Sequence, residues 1–171
     1  MRFSALSLLL LCFPLFAAPP KWELNLKDSD DTSIDMAFFK EHPASLVFLI
    51  DENFNDEEKS FAKIVKAFGR SLPLVPVIFV VSSGTDKGTF KATIEDRLAP
   101  TVANLSKYLW LHLKNKEASS AEAIRSQLHF VLDGEEAVAR HFRLGPKDFE
   151  VGFKMIVIDS EARAVTLEKA P

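Results

Sequence analysis

The stretch LVFLIDENFNDEEKSFAKIVKAFG, Leu46 to Gly69, changes character twice. Leu46 to Ile50 is a continuous apolar run with β-branched and aromatic members. Such a run predicts a central strand covered on both faces. Asp51 to Glu58 is polar and acidic, interrupted only by Phe54. Beyond it, Phe61, Ile64, Val65 and Phe68 recur at helical spacing and form one apolar stripe. Asn55 or Asp56 is placed to cap that helix, and Glu57 and Glu58 fall in the first turn, where the helix dipole favours anions. Asn55 with Glu58 three residues on has the form of a capping box. Gly69 ends the helix. The stretch therefore reads as strand, acidic turn and capped helix.

The next segment, LPLVPVIFVVSSG, carries Val75 and then Val77 to Val81, a second buried strand with Pro73 and Pro76 at its start. Two such strands joined by a helix make a βαβ unit and are expected to be parallel. SSGTDKGT reads as a loop. TVANLSKYLWLHLKNKE reads as a helix that starts just after Pro100, with Val102, Leu105, Leu109 and Leu113 on one face. Tyr108 and Trp110 have two readings, packing on the sheet or forming an exposed aromatic surface for a ligand or partner. Asn104 opens a glycosylation sequon, but inside the predicted helix.

LHFVLDGEEAVARHFRLGPKD gives a third strand, Leu128 to Leu132, and a short helix capped by Asp133, with Glu136 completing a capping box. VGFKMIVID is a fourth strand. Met155 to Asp159 and Ala164 to Glu168, joined by a four-residue turn, predict a closing hairpin. Upstream of Leu46, Trp22, Leu24 and Leu26 alternate with polar residues as a half-buried strand does. KDSDDTS is a turn, and His42–Pro43 ends the segment that follows.

Export is written into the first residues. Arg2, an apolar run from Leu6 to Phe16, and then Ala17 and Ala18 have the layout of a cleaved signal peptide over residues 1–18. The run is short for a bilayer-spanning helix. Residues 19–171 then form a single domain, of a size that supports a real core. Cys12 is the only cysteine among the 171 residues, so the processed chain is cysteine-free, with neither a disulfide nor a thiol nucleophile. The product is expected to be periplasmic or secreted. Without Arg2, 20 basic residues face 24 acidic ones, a formal charge of −4 with no basic run. That balance speaks against nucleic acid and against an anionic membrane surface as partners.

The order of elements resembles the thioredoxin-like superfamily, in its peroxiredoxin and exported thiol–disulfide branch. WELNLKDSDDTSIDMAFFKEHPASLVFLI is similar to that branch's opening, and FVLDGEEAVARHFRL followed by FKMIVIDSEARAV to its closing half. The resemblance covers most of residues 22–169 and implies an α/β fold: a central mixed sheet of about five strands flanked by helices, with a helical insertion around 90–122. It also implies where a reactive cysteine or cysteine pair would lie, at roughly Asn53 to Glu57, and where a cis-proline would face it, at about Gly152–Phe153. This sequence has cysteine at neither and proline at neither.

The candidate site is therefore the turn itself: Asp51, Asn53, Phe54, Asn55, Asp56 and Glu57. Ligands of open α/β sheets gather at the C-terminal ends of strands. The expected role is that of a non-redox binding, scaffold or chaperone-like module, with another exported protein as partner and no cofactor. The alternative is an enzyme of another class that uses the acidic turn 51–58 with a divalent cation on its oxygen ligands. The spacing of His42, His112, His129 and His141 matches no zinc motif. His129 reads as a bonded edge or core residue and His141 as an exposed one. There is no glycine-rich phosphate loop and no Gly-x-Ser-x-Gly turn.

Overall fold

A computed structural model describes residues 19–50, 54, 59–81, 87–145 and 153–167. Its elements, in chain order, are β1 (Leu26–Lys27), β2 (Ser33–Ile34), α1 (Met36–Lys40), β3 (Ala44–Ile50), α2 (Lys59–Phe68), a 3-10 helix (Gly69–Leu74), β4 (Val77–Val81), α3 (Lys87–Leu113), α4 (Ala121–Arg125), β5 (Leu128–Leu132), α5 (Ala137–His141), β6 (Phe153–Asp159) and β7 (Ala164–Leu167). The main sheet has five strands in the order β5-β4-β3-β6-β7. β3, β4 and β5 are parallel, while β6 and β7 run antiparallel to their neighbours. The mixed five-strand α/β architecture is the one expected.

The apolar run at Leu46–Ile50 is explained by what covers it. Leu46, Phe48 and Ile50 point to one core with Val77, Phe79 and Val81, under the stripes of α2 and α3. Val47 and Leu49 point to a second core with Ile78, Val80, Trp22, Phe39 and Phe142. Both faces are dry, so alternation is absent. On the first face Phe48, Phe79 and Phe130 stand in register across three strands. Their rings stack at 5.3 and 5.9 Å, a geometry that adds to simple area burial. Gly69, at φ +49°, takes the left-handed position that ends α2.

Three expectations need correction. The helix after β4 does not begin after Pro100: α3 runs through it for 27 residues. The reason is packing. Ile94 and Leu98 continue the stripe of Val102, Leu105 and Leu109 backwards, and all five are buried in one core. That burial outweighs the hydrogen bond to the Asp96 carbonyl that proline cannot make, on the exposed side of the helix. With α4, α3 is the crossover by which β4 reaches the parallel β5, and it occupies the stretch read as an insertion.

The second correction is at the N-terminus. Trp22 to Leu26 is not one strand. Trp22 is fully buried; its backbone amide donates to the Ala162 carbonyl and its indole Nε1 donates to the Ile34 carbonyl at 3.2 Å. Only Leu26–Lys27 pairs, with β2. Thirdly, the capping box at Glu136 does not form. Asp133 alone caps α5, its carboxylate accepting from the Ala137 and Val138 amides at 2.9 and 2.8 Å, while Glu136 sits at φ +54° with no side-chain cap bond. The closing hairpin is present, turned by Asp159, whose carboxylate accepts from the Glu161 and Arg163 amides.

Candidate functional site

The acidic turn leaves the C-terminal end of β3, the middle strand of the sheet, and leads into α2. Of its candidate residues, Phe54 is described; Asp51, Asn53, Asn55, Asp56 and Glu57 lie outside the described residues. Phe54 is 1% exposed. Its ring lies 6.3 Å from Phe79 and 6.2 Å from Phe153, so it continues the aromatic ladder of the core. The Arg97 guanidinium, reaching from α3, donates to the Phe54 carbonyl at 2.7 Å. Phe54 itself is thus anchored at both ring and carbonyl, and its ring is turned into the core, not toward a partner.

Cationic groups frame this end of the sheet. Lys63 of α2 places its ammonium 5.4 Å from the centre of the Phe153 ring. Lys154 of β6 is 1% exposed and lies opposite Leu49, on the face of the sheet away from Phe54. A buried lysine is costly to desolvate unless its amine is paired or hydrogen-bonded. Sequence reasoning passed over it, although a lysine inside the apolar run FKMIVI was the available signal.

A second group of polar residues gathers at the β5 edge. Asp28, 2% exposed, lies in the turn after β1. One carboxylate oxygen accepts from the Asp30 and Thr32 amides at 2.9 and 2.8 Å, and the other meets His129 Nδ1 at 2.8 Å. Burial pushes the Asp28 carboxyl up, but the bonds from His129, Thr32 and Asp30 outweigh it, and the group sits below its usual value. The Phe38 ring stands edge-on to His129 at 5.1 Å and lies 5.0 Å from His42. Burial pushes His42 down; Glu41 opposes this and His129 adds to it. Asp30 pairs with Lys91 of α3 at 2.9 Å, and that hydrogen bond raises the lysine. The Ser29 amide donates to the Phe130 carbonyl at 2.8 Å. The turn is therefore fastened to both β5 and α3, and it covers the open edge of the sheet. Among the described residues no three histidine, cysteine or carboxylate side chains converge as a metal would require.

The two α3 aromatics differ in burial. Tyr108 is half-buried against the first core, its ring stacked 4.1 Å from His112. Trp110 is 41% exposed, and Leu111 beside it 53%. No helix among the described residues is long and apolar enough to cross a membrane.

No family model matches the sequence, and no curated protein is significantly similar to it. Solved structures do share its fold. A thiol:disulfide interchange protein from Bacteroides sp. aligns with a TM-score of 0.51 at 14% identity, over 88% of this chain and 80% of that one. A yeast mitochondrial 1-Cys peroxiredoxin gives 0.52 at 14% identity, over 91% of this chain and 66% of that one. A protein from Neisseria meningitidis assigned as a thioredoxin gives 0.52 at 9% identity, over 88% and 79%. Similarity at these identities speaks for the fold alone.

Proposed function

We propose that this chain, a thioredoxin-like fold, is an exported binding module without thiol chemistry, and that the acidic turn 51–58 is where it meets another exported protein. One observation carries the reading: the sequence has a single cysteine, Cys12, which precedes the turn in sequence and falls within the segment read as a signal peptide. Thiol–disulfide exchange proceeds by thiolate attack, and without a thiolate at the turn the scaffold has nothing to attack with. What remains there is a strand-to-helix connection whose one described residue, Phe54, is buried and bonded through its carbonyl to Arg97. Ligands of open α/β sheets gather at the C-terminal ends of strands, which is where this connection begins.

The test is photo-crosslinking in cells, with a benzophenone amino acid placed at Asn55 and, as a control, at Val165, which is 54% exposed on β7. A discrete, stoichiometric adduct from position 55 and none from 165 supports the reading. Identical adduct patterns from both positions, or none from either, would count against it.

A further inference from the structure

A cavity of about 180 Å³ opens among α2, the 3-10 helix, α3, α4 and the beginnings of β4 and β5. It lies at the end of the sheet opposite the acidic turn: Val77 and Leu128 open the parallel strands β4 and β5, whereas the turn leaves the far end of β3. Ile64, Leu72, Leu105, Leu109 and Ile124 form walls and are themselves buried. The room exists because Ala118 and Ala123 face it, where longer side chains would fill it.

No charged side chain lines this space. The Ser126 hydroxyl and the Gln127 backbone groups at its rim are engaged already. The Ser126 hydroxyl donates to the Ala123 carbonyl at 2.8 Å, the Gln127 amide donates to the Ile124 carbonyl at 3.0 Å, and the Gln127 carbonyl accepts from the Val77 amide at 2.8 Å. A buried water needs two to four polar partners, and these walls offer few.

We propose that this cavity is a binding site for a small uncharged apolar molecule, of the size of one aromatic ring or one branched aliphatic group. A dry cavity of about 150 Å³ lined by Leu, Ile and Phe takes up benzene. The space here is of that order, closed to a long acyl chain by its volume and unsuited to an ion by its lining.

The experiment is a titration of the full chain with benzene, indole and dodecanoate, followed by the amide fingerprint in NMR and by the melting midpoint. Benzene and indole are expected to shift the amides of Val77, Leu105, Ile124 and Leu128 and to raise the midpoint, since a ligand of the folded state alone stabilises it. Dodecanoate is expected to leave those amides unmoved. Ala123→Leu and Ala118→Leu each plug the space and are expected to weaken the response at least tenfold while keeping a folded spectrum. The absence of any response to benzene and indole in the parent chain overturns the site. So does an unchanged response in a folded plug variant, and an equal response to dodecanoate overturns the size class. If neither plug folds, the parent chain's amide map decides: shifts at those four residues support the site, and shifts elsewhere overturn it.

Discussion

Asp28 and His129, 101 residues apart in the chain, are joined by a 2.8 Å hydrogen bond that closes the N-terminal turn onto the edge strand of the sheet. The same carboxylate receives two backbone amides of its own turn, so one side chain organises the loop and anchors it. Asp28→Ala is expected to cost about 1–3 kcal/mol, because it leaves the His129 ring and the Asp30 and Thr32 amides without their acceptor. Lys91→Ala, which removes an ion pair to the exposed Asp30, is expected to cost under about 1 kcal/mol. Urea unfolding of the two variants measures the contrast, and equal losses would mean that Asp28 is not the anchor.

The pH dependence follows from the directions of the shifts. The His42 imidazole is held below its ordinary value of 6.5, so the folded state favours the neutral ring. Its contribution is complete above pH 6.5 and is lost as the pH falls through the lowered folded value. Asp28 is likewise held below its ordinary 3.8, so its contribution is complete above that value and is lost below it. A melting profile against pH is expected to decline in these two windows. His42→Phe is expected to flatten the upper decline and leave the lower one. Persistence of the upper decline in that variant would assign it to another group.

Phe54 is expected to be the most sensitive residue of the acidic turn. Phe54→Ala removes a ring that is 1% exposed and is expected to cost about 3–5 kcal/mol. Substituting Asn55 or Asp56 by Ala is expected to cost no more than an N-cap does, about 1 kcal/mol. Thermal or denaturant unfolding of the three variants checks the order, and a small loss at Phe54 would contradict its anchoring in the core.

Pro100 lies within α3, on its exposed side. Pro100→Ala restores an amide donor opposite the Asp96 carbonyl and is expected to stabilise the chain by about 1–2 kcal/mol, after the greater freedom it gives the unfolded state is subtracted. Destabilisation would indicate that the helix starts at Thr101, as the sequence by itself implies.

The parts of the fold legible in the sequence are those written in local patterns. The run Leu46–Ile50, the stripe Phe61 to Phe68, the glycine at 69 and the hairpin around Asp159 each declare their structure within a few residues. Pro100 misled because its local meaning, a helix start, was overridden by a stripe that extends on both sides of it. The acidic turn was legible as a position in the sheet, but the buried ring of Phe54 was not, since that depends on Phe79 and Phe153 from other strands. The Asp28–His129 pair and the cavity beneath α4 were beyond reach for the same reason: each is made by residues that only the topology brings together. Lys154 was visible all along as a charge in an apolar strand.

The most direct measurement is reduction of insulin by dithiothreitol, followed by turbidity, in the presence of the full chain and of its Cys12→Ser variant. A binding module without thiol chemistry leaves the rate at that of dithiothreitol alone for both proteins. Catalysis above that rate by the Cys12→Ser chain, which has no sulfur nucleophile left, would contradict the reading outright, and catalysis lost on that substitution would place the chemistry at Cys12.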